Sequence, residues 1–305
     1  MSQGMTNTAT RDLGADEPDF PQEGEMPEDE APRKHSEAEK AEEKAERKKK
    51  ARDEARLDAP TVYEVIARDG IEEMERPLTS LWWSGVAAGF GISLSLYVMA
   101  ALRVSLGDTA GAGTLEKFGY CFGFAIVILG RLQLFTENTI TPVLPVLRNR
   151  TAQAFKCVGR LWLVVFLANL VGTFCSAALP IVFPIASDEQ MTAILEISKH
   201  FADRDVVTIF FTAIPAGFLV ASLVWMLPSS KGFELWTIIL ITFAIAVAET
   251  SHVIVGSTEL FTVLLAGDLS LPDMVLKLLS AGAGNIVGGT GLFAILAYAQ
   301  VSEEV

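Results

Sequence analysis

The sequence predicts an all-α, polytopic membrane protein with six crossings, the second and fifth of them interrupted. Three observations carry that reading. Charge is segregated: residues 1–80 are crowded with Lys, Arg, Asp and Glu, whereas residues 81–300 are dominated by Leu, Val, Ile, Ala, Phe and Gly. The apolar part falls into blocks near the ~20 residues that span a hydrocarbon core. Two blocks carry ionisable groups in their middle, which lipid does not tolerate unless those groups face a bundle interior or a water-filled path. A water-soluble chain of 305 residues would be one or two domains. The segregation predicts instead a charged tail over 1–80 and a transmembrane domain over 81–300. The net charge of −13 then describes the tail and loops rather than a bound partner.

Residues 1–33 hold Pro18, Pro21, Pro27 and Pro32 among many acids. They bury too little apolar area to offset chain entropy and are expected to be disordered. The start of the chain lacks the apolar stretch of a signal peptide. Residues 36–57 are rich in helix formers, with Glu placed four residues before Lys or Arg, but lack an apolar stripe. They read as a solvated helix, with a partner- or lipid-surface helix as the alternative raised by the basic run Arg47 to Lys50. That run is embedded in acidic sequence, which argues against nucleic acid as a partner. The segment Thr61 to Met74, with Val62, Val65, Ile66 and Ile71, is weakly amphipathic and suited to the membrane surface.

The first span is expected over Leu81 to Leu102. Gly85, Gly89 and Gly91 give it a face for close helix approach, and Trp82 and Trp83 sit at its interfacial end. The second apolar region, Leu115 to Leu147, is too long for one straight span. It is interrupted by GRLQLFTENTITP, Gly130 to Pro142, which carries Arg131, Glu137, Asn138 and a proline that restricts its predecessor. A broken helix follows: one arm to Leu129, a loop, and a second arm to Leu147. Arg131 and Glu137 read first as an ion pair steadying that loop. The third span covers Val158 to Val182, with Asn169 and Gly172 inside it. A polar connection, Phe183 to Asp205, leads to the fourth, Val206 to Leu227, which contains Pro215 and Gly217. The sixth covers Met274 to Ala299 and carries a track of small residues from Ser280 to Gly291.

The fifth region has the most unusual middle. AETSHVIVGSTELFT, Ala248 to Thr262, lies between apolar flanks yet holds an acid, a histidine, several hydroxyls and a glycine. His252 is either a packing histidine or the lining of a solute route, and the surrounding polarity favours the second. Leu134-Phe135-Thr136 recurs as Leu260-Phe261-Thr262, each in the interrupted middle element of a three-span unit. Three spans per repeat force the halves to insert with opposite topology, and such inverted repeats place a site at discontinuous helices near the midplane. Half-helix N-termini there offer unpaired amides to anions. Arg148, Arg150, Lys156 and Arg160 in one even-numbered loop put both termini in the cytoplasm. Cys121, Cys157 and Cys175 show neither metal spacing nor a disulfide framework. The sequence contains no nucleophile–base motif and no His-rich cluster, so neither an enzyme nor a cofactor or metal site is expected.

GRLQLFTENT in the second region, the central His252 in the fifth, and LVASLVWM, Leu219 to Met226, closing the fourth span resemble the formate/nitrite transporter family over about Trp82 to Tyr298. LFTENTITPVLP and the long charged tail resemble the YfdC-like branch of bacterial inner-membrane proteins within it. The resemblance implies an aquaporin-like fold and a homopentamer in the bacterial inner membrane, with one pore per protomer and lipid around it. It implies passage of small monovalent weak-acid anions. It places the family's threonine on Thr136 and its histidine on His252. It maps the apolar constrictions to Phe124 and Ile245, and the family's lysine at the pore mouth to Lys199, which otherwise reads as a solvated loop lysine. Typical members read Phe-Glu-His where this chain has Thr250-Ser251-His252, so formate or nitrite is not assumed. Glu249 and Glu137 are acids outside the typical pattern, and suit anion attraction or a proton-coupled step with the proton coming from water or through His252. Two other classes stay open: a channel for small neutral solutes, and a transporter fold used for sensing or scaffolding through its tail.

Overall fold

The computed structural model describes residues 40–47 and 57–305. Chain contacts divide it between Ala55 and Arg56. In the first unit, residues 40–47 form α1, exposed throughout. Arg47 pairs with Glu43 one turn earlier at 2.6 Å, the spacing-four pairing read from the sequence. Residues 1–33 and Lys48 to Lys50 lie outside the described residues.

The second unit opens with α2, Ala59–Glu75. Asp58 caps it by accepting the Thr61 amide at 2.9 Å, and a proline in the first turn fits because no amide is needed there. Val62, Tyr63, Ile66 and Ala67, at helical spacing, are buried against the rest of the unit, and the Tyr63 hydroxyl donates to the Leu144 carbonyl at 2.9 Å. The weakly amphipathic run is therefore a docked helix.

Next come α3, Leu78–Leu106, α4, Ala112–Glu116, and α5, Phe118–Leu129. A 3-10 turn over Glu137–Thr139 and α6, Val143–Arg148, complete the second region, so both expected arms are helical with a non-helical stretch between them. Then follow α7, Ala152–Val182, α8, Asp188–Ala202, and α9, Val206–Met226. The polar connection after the third span is thus largely helical. Ser187 and Gln190 form a reciprocal capping box at its start, satisfying two orphan amides. Ile194, Ile197 and Phe201 are buried along one face, a periodicity that its charged residues mask in the sequence.

The fifth region is two short helices, α10, Glu234–Val247, and α11, Val253–Leu265. The last rod is α12, Leu271–Ile286, a π-helical segment Val287–Ala294, and α13, Ile295–Val301. The π segment begins in the small-residue track, with Gly288, Gly289 and Gly291 in it. Five of the described helices are long and apolar enough to cross a membrane: Leu78–Leu106, Ala112–Leu129, Ala152–Val182, Val206–Ser229 and Leu271–Val301.

Two helix contacts hold this bundle, and they are built alike. A Cβ added to Gly89 of α3 would collide with the Asn169 carbonyl of α7, and one added to Gly217 of α9 would collide with the Asn285 carbonyl of α12. Gly172 stands against the Val86 carbonyl as Gly288 stands against that of Ile214. Without a hydrophobic driving force between helices in lipid, such backbone approach supplies the packing. Gly89→Ala and Gly217→Ala should each lower the melting temperature of the detergent-solubilised protein, by about 1–3 kcal/mol of stability. Gly113→Ala, with open space around it, should not.

Candidate functional site

The site is made where two helices stop. α5 ends at Leu129 and Arg131 turns into the left-handed region at φ 51°; α10 ends at Val247 and Glu249 does the same at φ 52°. Neither is a glycine, so each carries strain of about 1 kcal/mol or more. The closing bonds match one for one. Arg131 and Leu132 donate to the carbonyls of Ile128 and Val127 at 3.1 and 3.0 Å, as Glu249 and Thr250 donate to those of Ala246 and Ile245, both at 3.2 Å. These are the crossed bonds that terminate helices at a left-handed residue.

Beyond each stop the chain is non-helical for a few residues, and one asparagine satisfies its backbone. Asn169 of α7 accepts the Phe135 amide at 2.9 Å and donates to the carbonyls of Gly85 and Gln133 at 2.8 and 2.9 Å. Asn285 of α12 accepts the Val253 amide at 2.8 Å and donates to those of Ala213 and Ser251 at 2.8 and 2.9 Å. In this register Gln133 to Phe135 answers Ser251 to Val253, and Leu134 stands opposite His252. The recurring Leu-Phe-Thr triplets are therefore not the matched positions: Leu260-Phe261-Thr262 lies inside α11, about two turns further on.

His252 is the N-cap of α11 and is 2 % exposed. Its Nδ1 accepts the Val255 amide at 3.3 Å, and its Nε2 lies 2.8 Å from the Thr136 hydroxyl. An Nδ1 that accepts carries no proton, so in the neutral ring Nε2–H donates to Thr136. The Thr136 hydroxyl keeps its own proton, and among the described residues no acceptor takes it. The Phe124 ring meets the imidazole edge-on, centroids 5.0 Å apart at 74°.

A cavity of about 210 Å³ reaches His252, past Ile245, Phe201 and Tyr120. Two ion clusters line it. Arg103 donates twice to Glu116, at 2.8 and 3.0 Å. Glu249 receives Lys117 at 3.1 Å, His200 at 3.4 Å and Arg204 at 3.5 Å. A second cavity, about 650 Å³, lies against the other broken helix and is lined by Glu137, Glu73, Gln133, Thr141 and Arg131. There Glu73 of α2 accepts from Thr141 at 2.8 Å and Gln133 at 3.2 Å. Burial pushes its carboxyl above the usual range, against the pull of those two donors.

Of the residues singled out in the sequence, His252, Thr136, Phe124 and Ile245 come together. Glu249 is close in sequence to the histidine, but its carboxylate is turned to Lys117, His200 and Arg204. Glu137 lines the second cavity without pairing with Arg131, which instead reaches Asp69 at 3.9 Å. The charge of an arginine in a left-handed turn goes outward to α2, where the acids of an exposed helix face wait. Lys199 does not line the His252 cavity: its Nζ is 2.6 Å from Asp268, and Lys117, Arg103 and Arg204 are the cations at the cavity. Sequence reasoning passed over Asn285, Tyr120, Phe201 and Glu259. Asn285 had the clearest signal, a lone amide in an apolar helix, as Asn169 is in α7.

The formate/nitrite transporter family model matches residues 60–299. The chain belongs to the formate/nitrite transporter family. The match includes α2, ahead of the region that carries the sequence resemblance. Inner membrane protein YfdC of Escherichia coli (strain K12) is 39% identical over 256 residues, 83% of each chain. Formate-nitrite transporter 3 of Toxoplasma gondii (strain ATCC 50611 / Me49) is 23% identical over 77% of this chain; this chain spans 49% of that protein. Among solved structures, an FNT family ion channel superposes with a TM-score of 0.70 at 18% identity, covering 78% of this chain and 98% of its own. A pentameric formate channel with formate bound gives 0.64 at 19%, covering 74% and 98%. At these identities the likeness carries the fold: helical, multi-pass and of the formate/nitrite transporter type.

Asn169→Ala and Asn285→Ala should each leave one amide and one non-helical carbonyl without a partner, Phe135 and Gln133 in the first break and Val253 and Ser251 in the second, at about 1–3 kcal/mol per group. Thermal unfolding of the solubilised protein should show a larger loss for either than for Asn149→Ala, at the exposed end of α6.

Proposed function

We propose that this protein is an inner-membrane transporter or channel for small monovalent weak-acid anions of the formate and nitrite kind, with one pathway in each protomer of a homopentamer. The observation that carries the reading is the 2.8 Å contact between His252 and Thr136. It joins the two chain breaks at their polar ends; one cavity reaches His252 and another is lined by Glu137, the residue after Thr136. The family membership supports it, as do relatives named for formate and nitrite; the pentamer rests on the channel with formate bound.

The pathway residues are His252, Thr136, Phe124, Ile245, Glu137 and Glu249. Lys199 belongs to the outer surface of that pathway at most, since its charge is held by Asp268. A small anion comes into the His252 cavity and loses water against Ile245, Phe201 and Phe124. A bare charge carried through such a zone costs several kcal/mol even after relaxation, and protonating a weak acid removes most of that. At the centre the free proton of the Thr136 hydroxyl and the edge of the imidazole hold the solute. The chemistry is passage rather than catalysis, and needs no cofactor.

The same reading orders the chain as six crossings in two inverted three-helix repeats. The first is α3, the pair α5 and α6, and α7; the second is α9, the pair α10 and α11, and α12 with its extension. The matched asparagine, glycine and turn contacts support that pairing. Residues 1–80 form a cytoplasmic tail, with α2 docked at its end, and residues 81–300 form the transport domain. Both termini are cytoplasmic, on the side where Arg148, Arg150, Lys156 and Arg160 gather.

One observation favours a neutral-solute channel as the second reading. The cations lining the His252 cavity are opposed by Glu116 and Glu249, so it offers little net attraction to an anion. Uptake of a panel of small monovalent anions into proteoliposomes separates the two, at two external pH values and beside His252→Ala. Weak-acid passage predicts uptake that rises as external pH falls, ranks with solute pKa, and changes in selectivity or pH dependence in the variant. Uptake indifferent to pH, to solute pKa and to His252 would sink it in favour of neutral solutes.

A further inference from the structure

The His252 cavity contains three acids, and one of them has no partner. Glu116 is held by Arg103, which also reaches Glu196 at 3.5 Å. Glu249 is held by Lys117, His200 and Arg204. Glu259 lines the same cavity, and no side chain or backbone group among the described residues hydrogen-bonds or ion-pairs with its carboxyl. It lies two turns after His252 on α11, and His252, Val255, Gly256 and Glu259 all face the cavity, so a groove about 10 Å long joins the two. Its wall includes Phe201 and Ile245. Tyr120 faces the same space: it is 8 % exposed, and among the described residues its hydroxyl also has no partner. Two polar groups thus face the recess with no partner among the described residues, the arrangement expected where a polar solute completes the set.

We propose that Glu259 is the proton donor of this pathway: it protonates the weak-acid anion in the cavity before the solute passes Phe124 and His252. This rests on the weak-acid reading above. His252 is poorly placed for the task, because Nδ1 is occupied by the Val255 amide and Nε2 by Thr136. Glu116 and Glu249 are already engaged, by Arg103 and by Lys117, His200 and Arg204. Among the described residues Glu259 has no direct hydrogen-bond or ion-pair partner, so its carboxyl is free to exchange a proton with cavity water and with a solute. The step balances. The carboxyl O–H bond breaks as the anion's O–H bond forms, the neutral acid moves inward, and the Glu259 carboxylate takes a proton from cavity water. Beyond the constriction the acid releases its proton to water. One proton crosses with each anion. The charged groups facing this recess are Arg103 from α3, Glu116 from α4, Lys117 from the junction of α4 and α5, His200 and Arg204 from and just after α8, and Glu249 from the break. They are engaged in two clusters, Arg103 with Glu116 and Glu249 with Lys117, His200 and Arg204, which leaves Glu259 as the unpaired acid of the cavity, with the Tyr120 hydroxyl facing the same space.

The test uses full-length protein in proteoliposomes with formate as probe, at about pH 5 and about pH 8 outside, with a pH dye in the lumen. The wild type should take up formate faster at the lower pH and acidify the lumen in step. Glu259→Gln keeps shape and hydrogen bonding but has no proton to give. Its uptake at the lower pH should fall roughly tenfold or more, with the pH slope flattened and luminal acidification lost, while Glu259→Asp retains the slope at a reduced rate. A Glu259→Gln protein with wild-type pH slope and proton co-movement overturns the assignment and leaves the weak-acid reading standing. A wild type that moves neither formate nor any other weak acid of the panel overturns both. If Glu259→Gln does not fold, Glu259→Asp decides: slower uptake with the slope kept supports the assignment, and a profile identical to wild type in rate and slope overturns it.

Discussion

Backbone that leaves the helix inside an apolar bundle must find new hydrogen-bond partners, and everything distinctive here follows from how that is met. An unsatisfied amide or carbonyl at membrane depth costs several kcal/mol. Each break exposes such groups, and each is answered by one asparagine that uses both ends of its amide. Asn169 and Asn285 make one acceptor and two donor contacts apiece. A hydroxyl has one proton to give and an acid in its charged form has none, so asparagine is the compact residue that does all three jobs. The glycine contacts belong to the same device. Gly89 and Gly217 let the neighbouring helices come close to the two asparagines, which brings short amide side chains within reach of the broken strands.

Once the breaks are held, the polar site comes with them. A half-helix that begins inside the bundle needs an N-cap, and in α11 the cap is His252. Capping fixes the imidazole through Nδ1 and leaves Nε2 to face Thr136 across the gap. The same hydrogen bond that finishes a helix therefore selects a tautomer and aims a donor. At the matched position of the other break stands Leu134, fully buried. The two halves share a backbone design and differ in side-chain chemistry, which concentrates the polarity on one side of the centre.

The long apolar helices were legible because hydrophobic length is a coarse signal that needs no neighbours; five of them are long enough to cross a membrane. Both interruptions were legible because arginine, glutamate and histidine stand out in an apolar run. His252 and Thr136 followed from position within those interruptions together with family resemblance. What was not legible depends on contacts between distant segments. The repeat register could not be taken from Leu-Phe-Thr, since the matching lies in backbone turns and asparagine bonds that tolerate different side chains. Lys199 was misplaced because several cations occupy one short stretch, and only the fold shows which of them faces the cavity. Helix α8 was hidden because half of its residues are polar, although Ser187 and Gln190 spelled out its cap.

The charge pattern around the centre bears on what form of solute can pass. A pore that selects ions by attraction keeps unbalanced charge of the opposite sign at its mouth. Here Arg103, Lys117 and Arg204 are spent on Glu116 and Glu249, and the second cavity adds Glu137 and Glu73. Those carboxyls repel an anion when ionised and accept it when protonated. At the inner end of the first cavity stands a histidine whose ring nitrogens are both engaged, with Phe124 packed edge-on against it. Such a barrier discriminates by the cost of desolvation, which is large for a charge and small for a compact neutral acid. On the weak-acid proposal, selectivity would lie in how readily a solute takes up a proton before it reaches the centre, and the surrounding protein would contribute by controlling where that proton can be obtained.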